Sequence, residues 1–228
     1  MSGGRRRQAF VLALLLVVAL GCGLLLGPGS ARAWDADRFL RQSQRFGPRA
    51  TEIAQALIET IQLSMRGDEE QRLTVINQFF NRRILFREDT EVWGQIDYWA
   101  SPLEMFGKGA GDCEDYAIGK YFALTAAGIA PARLRLVYVK AMLGGVGGVQ
   151  QAHMVLAYYP GPTAEPLILD NLIGDIRPAS RRPDLVPVFS FNADGLWQGT
   201  QGPDAGDPTQ RLSRWREVLA KVREQGLY

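Results

Sequence analysis

Cys113 is the first candidate for chemistry in this sequence, because it follows a glycine-rich turn and lies among three acidic residues, Asp112, Glu114 and Asp115. Residues 116–127 are good helix formers with apolar positions at helical spacing, and a glycine ends the run. We therefore predict that Cys113 lies in the first turn of a helix. The positive end of a helix dipole and its unpaired amide groups stabilise a thiolate, which is the reactive form of cysteine.

His153 is the only histidine in the chain, and its spacing from Asp170 predicts that the two side chains meet. Residues 152–159 and 167–172 have strand-like composition and flank a Pro-Gly-Pro sequence, so we predict a β-hairpin. A turn centred on residues 161–162 would place His153 directly opposite Asp170, with Cβ atoms about 5 Å apart. The carboxylate would then accept the imidazole N–H and fix its tautomer. A one-residue slip would move Asp170 to the other face.

One thiol, one imidazole and one carboxylate suit nucleophilic catalysis. His153 would take the thiol proton of Cys113, the thiolate would attack a carbonyl carbon, and helix-terminal amides would bind the oxyanion. Two plainer interpretations stay open, a histidine with a structural role and a cysteine that serves as a small buried apolar residue.

The acidic residues beside Cys113 need a separate explanation, because their negative charge raises the pKa of a neighbouring thiol. Carboxylates crowded after a glycine turn are typical ligands of a hard cation, above all calcium in an exported protein. Such a cation would also cancel the repulsion that opposes thiolate formation. The alternative is a solvated first turn whose acidic residues are favoured by the helix dipole.

Residues 1–33 are interpreted as a cleaved export signal. A basic start at Arg5 to Arg7 precedes an apolar run over residues 10–26, and Ala31-Arg32-Ala33 is a small-residue cleavage site. The alternatives are a retained membrane anchor, because the run is near the minimum length of about 17 residues for spanning, and lipidation of Cys22. Cleavage would leave residues 34–228 as one domain in the periplasm.

The charge and cysteine content of that domain limit the function further. Removing the four arginines of residues 1–33 from the 26 basic residues leaves 22, against 24 acidic residues. A domain with this near-neutral balance lacks the excess of basic residues that nucleic-acid binding requires, so we expect no nucleic-acid partner. Cys113 would be the only cysteine in an oxidising compartment, where cysteines are normally paired, and several-thiolate zinc sites are excluded by count.

The rest of the chain predicts the elements that position these residues. Before the glycine turn we expect three helices, one capped by Asp37, one over residues 50–65 and one capped by Asp68. Residues 85–100 are interpreted as an aromatic-rich loop, and Ser101 to Glu104 as a capping box with proline at the first helical position.

After Gly128 the pattern changes from helices to strands. Strands are predicted over residues 134–139 and 186–191 in addition to the hairpin, with a flexible glycine-rich loop at residues 144–148. A closing amphipathic helix is indicated by apolar residues at helical spacing, namely Leu212, Trp215, Leu219 and Val222. Together these elements make one α+β core.

The residues around the three candidate positions resemble a known family. Residues 112–117 (Asp-Cys-Glu-Asp-Tyr-Ala), 151–155 (Gln-Ala-His-Met-Val) and 169–172 (Leu-Asp-Asn-Leu) are similar to motifs of the bacterial transglutaminase-like cysteine proteinases, in particular their periplasmic type. The likeness extends from about Trp93 through Trp197. It implies an α+β, papain- and transglutaminase-like fold in which a cysteine-bearing helix packs on an antiparallel sheet, with additional N-terminal helices.

The resemblance also implies a role for each matching residue. Cys113 would be the nucleophile, His153 the general base and acid, and Asp170 the orienting carboxylate of a cysteine endopeptidase. The calcium ligands would be Asp112, Glu114 and Asp115.

Two partners are implied by the resemblance alone. The substrate would be a large surface adhesin, cut in its N-terminal region at a double-alanine site so that it is released and the biofilm disperses. The inhibitor would be an inner-membrane receptor that binds cyclic diguanylate and sequesters the protease. The competing functions are a transglutaminase-type acyltransferase, which would share the triad, and a non-catalytic, calcium-responsive binding module.

Overall fold

The computed structural model describes residues 34–144, 148–200, 202 and 205–228. The predicted export signal, with Cys22, and most of the glycine-rich loop at residues 144–148 lie outside these residues. The division into a cleaved signal and a single domain of residues 34–228 therefore stays a prediction.

Three helices open the described chain: α1 (Ala36–Ser43), α2 (Pro48–Ser64) and α3 (Glu69–Arg83). The predicted cap of the third helix is confirmed, because the Asp68 carboxylate accepts a hydrogen bond from the Gln71 backbone in a capping box. The predicted cap of the first is wrong. Asp35 accepts the bond from Arg38 N–H, and Asp37 lies in the first turn, where its charge suits the helix dipole.

The segment predicted as an aromatic-rich loop contains two short elements, so that prediction is wrong in part. Strand β1 (Leu85–Phe86) and helix α4 (Asp89–Val92) precede the predicted capping box of helix α5 (Pro102–Lys108). The capping box forms as expected, with Ser101 and Glu104 bonding each other's backbone N–H groups. Strand β2 (Ala110–Gly111) then pairs in parallel with β1, a long-range contact that no local pattern indicates.

Helix α6 (Cys113–Ala126) begins at the cysteine, as predicted. Every residue from Asp115 to Ala126 is buried, so the helix is enclosed on all sides. Gly119 permits a close approach to α3, because a Cβ atom there would lie 2.4 Å from the Phe80 ring. The helix that begins at Cys113 is therefore held in a fixed position by its packing.

A six-stranded antiparallel sheet faces this helix. Its strands are β3 (Leu134–Leu143), β4 (Val149–Tyr158), β5 (Leu167–Leu169), β6 (Arg177–Pro178), β7 (Leu185–Phe191) and β8 (Leu196–Gln198), in the order β6-β5-β4-β3-β7-β8. Central strands β3 and β4 contact α6.

The β4–β5 hairpin has a different register from the predicted one. Ala164 N–H bonds to Gly161 O at 3.2 Å, so the turn spans residues 161–164, with Pro162 at the position that proline favours. Leu156 consequently pairs with Leu169, and Asp170 follows the last pair instead of lying directly opposite His153. When the turn centre moves by one residue, each residue pairs with a partner two positions further along the opposite strand. Because side chains alternate between the two faces, each side chain stays on its predicted face.

The closing helix packs against α6, in agreement with its apolar stripe. Short helix α7 (Pro208–Arg211) leads into α8 (Ser213–Gln225). Trp215 is fully buried and stacks on Phe122 of α6, with ring centroids 5.6 Å apart. Within the described part of the chain, no helix is both long enough and apolar enough to cross a membrane.

Candidate active site

Cys113 is the first residue of α6 and follows the glycine-rich turn directly. The turn needs glycine in two places, because Gly109 has a positive φ of 68° and because a Cβ atom on Gly111 would lie 2.6 Å from a carboxylate oxygen of Asp115. The cysteine side chain is partly buried, and its thiol is free. Unpaired amide groups and the positive end of the helix dipole are therefore close to this sulfur.

The thiol has contacts on both sides of the helix start. Its Sγ donates to Glu114 Oε2 at 3.0 Å, and the backbone of Met154 on β4 also approaches it. Burial, followed by the contact with Glu114 and the charge of Asp112, raises the pKa of Cys113 well above its usual value, and the Met154 contact opposes this rise. Burial and these charges therefore favour the neutral form of the thiol.

His153 and Asp170 form the pair that the sequence predicts, although by a different route. His153 Nε2 lies 2.8 Å from Asp170 Oδ1, and both side chains are buried. Asp170 reaches the imidazole from the turn after β5, not from a ladder position. Because an ionised carboxylate only accepts hydrogen bonds, Nε2 carries the proton, and Nδ1 is the nitrogen with a free lone pair in the neutral ring.

Asp170 is fixed by hydrogen bonds to both of its carboxylate oxygens and to its backbone carbonyl. Its Oδ1 also accepts the Leu172 N–H at 3.1 Å, its Oδ2 accepts Arg182 Nη2 at 2.7 Å, and Asn81 donates to its backbone carbonyl. Burial alone would raise the pKa of Asp170, but the hydrogen bonds from His153, Leu172 and Arg182 lower it to about 2. The carboxylate is consequently ionised at neutral pH.

Arg182 is a residue that the sequence analysis missed. Its side chain is buried and bonds both Asp170 and Asp184, the latter through Nε and Nη2. It lies in a proline- and arginine-rich stretch between β6 and β7 that has no periodic pattern. Its role follows only from the fold, which brings that stretch behind the histidine.

Three buried carboxylates form a separate cluster beside the thiol. Asp89, Asp112 and Asp115 bring side-chain oxygens within 4.8 Å of one another. Each keeps one oxygen without a hydrogen-bond partner among the described residues. Burial and the neighbouring carboxylates raise the pKa of Asp112 to about 10, and burial raises that of Asp89 to about 6. A divalent cation would satisfy the oxygens and cancel the repulsion together.

Asp112 distinguishes a cation site from an ordinary acidic first turn. It occupies the N-cap position of α6, where an aspartate normally accepts a backbone N–H of the helix. Its side chain makes no such bond, and its Oδ1 is buried without a partner in the described part of the chain. The carboxylate therefore serves the cluster and not the helix end.

The buried cluster differs from the predicted set of cation ligands in two ways. Asp112 and Asp115 belong to the buried cluster, whereas Glu114 accepts a hydrogen bond from the thiol. Glu114 also belongs to two other sets of side chains that are close enough to hold one ion. One set contains Asp112 and Cys113, and the other contains Asp89 and Asp97. Asp89 was missed because it lies 23 positions before Asp112 in a segment without a clear pattern. The β1–β2 pairing brings it there, with Phe86 opposite Gly111.

The thiol and the imidazole open into one cleft of about 460 Å³. Both side chains line it, and its walls combine aromatic and aliphatic groups, including Trp99, Tyr138, Met154, Ile96 and Leu172. Trp99 is held in place by stacking on Phe191, with ring centroids 5.6 Å apart. The cleft is open enough for a polypeptide segment and apolar enough to bind small side chains.

Comparison with known proteins identifies the family. The model of the bacterial transglutaminase-like cysteine proteinases (BTLCP) matches residues 45–184, so the likeness starts before Trp93, where the sequence analysis placed its beginning. No curated protein matches the chain.

Solved structures of LapG from Legionella pneumophila are similar to this chain at 36% identity and cover 82% of it. One such structure has a TM-score of 0.70 and is covered over 97% of its own length. An EGTA-treated form gives 0.72 and 97%, and a calcium-bound form gives 0.71 and 99%.

Proposed function

This chain belongs to the bacterial transglutaminase-like cysteine proteinases, and we propose that it is a calcium-dependent endopeptidase with Cys113, His153 and Asp170 as its catalytic triad. One observation carries the proposal. The His153 imidazole, bonded to Asp170 at 2.8 Å, lines the same cleft as the Cys113 thiol.

The first chemical step uses the tautomer that Asp170 imposes. With Nε2–H donated to Asp170, Nδ1 takes the proton of Cys113, and the thiolate attacks the scissile carbonyl carbon. The oxyanion that forms is stabilised by N–H groups at the start of α6. The ionised Asp170 stabilises the imidazolium that results.

The second half of the reaction returns each group to its starting state. Nδ1–H of His153 gives its proton to the leaving amine as the C–N bond breaks, which leaves a thioester on Cys113. A water molecule then gives a proton to Nδ1 and attacks the thioester, and the thiolate leaves and regains that proton. Peptide and water are thereby converted to a carboxylic acid and an amine.

Calcium is the cation that the acidic cluster suits best. The buried, unpartnered oxygens of Asp89, Asp112 and Asp115 fit a hard cation that prefers carboxylate ligands, and Glu114 is close enough to join them. The calcium-bound structure of a similar protein supports this choice. When bound, calcium supplies positive charge that opposes the effect of these carboxylates on the thiol.

The biological setting is proposed from the sequence. The predicted export signal supports a periplasmic location, and the family resemblance supports a large surface adhesin as the substrate, cut in its N-terminal region at a double-alanine site to disperse biofilm. On the same basis, an inner-membrane receptor for cyclic diguanylate would bind and inhibit the protease.

The test is cleavage of an adhesin N-terminal fragment that contains a double alanine. The full chain is produced in a Gram-negative host, purified from the periplasmic fraction, and assayed with calcium, with a chelator, and as Cys113→Ala. We expect cleavage only when both calcium and the thiol are present. Cleavage that persists in Cys113→Ala would contradict the proposal.

The acyltransferase is the alternative that shares the same first step. It differs in whether an amine or water resolves the thioester, so a labelled amine added to the assay separates the two. Incorporation of the amine into glutamine side chains without peptide cleavage would replace the protease proposal.

A further inference from the structure

The two edges of strand β4 are used differently. One edge pairs with β3 along its whole length, from Val149 opposite Leu143 to Tyr158 opposite Leu134. The other edge pairs with β5 only from Leu156 to Tyr158. Within the described residues, no strand pairs with residues 149–155 on that side. This stretch is an unpaired sheet edge that leads to His153.

One hydrogen bond shows which residues of β4 direct their backbone N–H and C=O groups to this edge. Tyr159 N–H bonds Arg133 O at 2.8 Å, in the same register as β3 and β4. Since hydrogen-bonded and non-hydrogen-bonded pairs alternate in an antiparallel ladder, the odd-numbered residues of β4 bond β3. The even-numbered residues Gln150, Ala152 and Met154 therefore direct their N–H and C=O groups to the unpaired edge.

Met154 connects this edge to the nucleophile. Its backbone approaches the Cys113 sulfur, in agreement with the assigned direction, and both residues line the same cleft. Ala152 is the next residue whose backbone faces the same way, about 7 Å from Met154 along an extended strand. Gln150 is one further step away. The backbone groups thus form a row that begins at the reactive sulfur.

This row is accessible. Gln150 and Ala152 are exposed, and Ala152 lines the cleft that contains Cys113 and His153. Neither residue makes a side-chain or loop hydrogen bond in the described part of the chain. A second polypeptide can therefore bond these backbone groups without displacing any pairing of the sheet.

We propose that the backbones of Ala152 and Gln150 form a substrate-binding subsite, in which an extended segment of the substrate next to the scissile bond is added to the sheet beside β4. The inference rests on the proposed protease function. Such a subsite recognises the main chain and not particular side chains. Because the substrate segment would pair with the same strand that contacts Cys113, its scissile carbonyl would be aligned with the sulfur.

Replacing Ala152 with proline removes its N–H while keeping the β3 ladder, because that N–H faces the unpaired edge. Ala152→Ser is the matched control, since it changes the side chain and keeps the N–H. The readout is the rate of covalent inactivation of Cys113 by acetyl-Ala-Ala chloromethyl ketone. Iodoacetamide, which has no peptide, measures the reactivity of the thiol itself.

We expect Ala152→Pro to lower the rate constant for the peptidyl ketone by about 10-fold, the effect of one hydrogen bond, and to leave the iodoacetamide rate unchanged. Ala152→Ser should react with the peptidyl ketone and with iodoacetamide at the same rates as the wild type. Equal rates for Ala152→Pro and Ala152→Ser with the peptidyl ketone would overturn the subsite.

A second measurement avoids any effect of proline on folding. Two ketones, each methylated at one backbone nitrogen, are compared with the parent on the wild-type protein, and at least one is expected to react about 10-fold more slowly. Parent-like rates for both would overturn the subsite. If the parent reacts no faster than chloroacetone, the protein does not recognise peptides, and the protease proposal fails together with the subsite.

Discussion

Arg182 and Asp170 form a buried ion pair behind the histidine, with Arg182 Nη2 at 2.7 Å from Asp170 Oδ2. The two oxygens of this carboxylate are thus divided, because Oδ1 accepts from His153 and Oδ2 from Arg182. A carboxylate held at both oxygens cannot rotate, so the plane of the imidazole is fixed through it. Arg182 is a positioning residue for the proposed triad.

Replacing this arginine should affect stability and rate together. In Arg182→Met the charge of Asp170 stays buried without its partner, which lowers the free energy of unfolding by about 3–5 kcal/mol. Chemical denaturation measures this loss, and cleavage kinetics should show a lower kcat. Arg181→Met, at the exposed neighbouring position, is the control. An unchanged unfolding midpoint for Arg182→Met would contradict the buried pair.

The low pKa of Asp170 predicts a specific loss of stability in acid. Because its folded-state pKa of about 2 lies below the usual 3.8, its contribution is complete above pH 3.8 and is lost as the pH falls toward 2. The wild type should lose on the order of 2 kcal/mol more than Asp170→Asn over that range. Urea unfolding at several pH values measures the difference. Parallel curves for the two proteins would show that Asp170 has no depressed pKa.

The proposed triad predicts unequal effects of two substitutions. His153→Ala removes the general base and should lower kcat by at least about 10²–10⁴-fold. Asp170→Asn keeps an oxygen that can accept Nε2–H, so its loss should be smaller. Steady-state cleavage kinetics on folded variants give both values. A larger loss in Asp170→Asn than in His153→Ala would be incompatible with an orienting role.

Asp89 should be as important for calcium as the acidic residues beside the cysteine. Asp89→Asn is expected to weaken calcium binding at least about 10-fold, because it removes one charged oxygen donor from the buried cluster. Isothermal titration calorimetry measures the affinity directly. Glu91→Gln, on the same short helix and exposed, should bind calcium like the wild type. Equal affinities for the two variants would place the cation elsewhere.

Gly119 should tolerate no side chain. A Cβ atom at this position would meet the Phe80 ring at 2.4 Å, so Gly119→Ala forces α3 and α6 apart and should cost about 1–3 kcal/mol of stability. Nothing lies within 4 Å of a Cβ atom at Gly174, which makes Gly174→Ala the control. Thermal unfolding compares them. A melting temperature of Gly119→Ala equal to that of the control would show that the helices have room to separate.

Local patterns predicted the parts of the site that are close in sequence. The start of α6 at Cys113 and the caps at Asp68 and Ser101 follow from short-range rules, and the structure has them. The predicted β4–β5 register was wrong because Pro162 placed the turn one residue later. The pairing therefore shifted by two positions, which kept Asp170 on the same face as His153, so Asp170 still reaches the imidazole.

Long-range contacts explain what the sequence did not reveal. Asp89 reaches Asp112 through two residues of parallel pairing, and Arg182 reaches Asp170 from an irregular segment. Neither contact has a periodicity or a turn signal that a single sequence contains. The buried state of Asp115 was equally hidden, because an acidic residue in the first turn of a helix is normally solvated.

The neutral state of the Cys113 sulfur has a consequence for the lifetime of the enzyme. Peroxides and disulfides attack thiolates, not thiols, so a partly buried sulfur that donates its proton to Glu114 is a poor target for sulfenic acid formation or glutathionylation. Under the proposed function, the calcium-free protein keeps its nucleophile reduced while it waits in an oxidising compartment. On the same proposal, a cation that makes the sulfur reactive toward peptides would also start its exposure to oxidative damage.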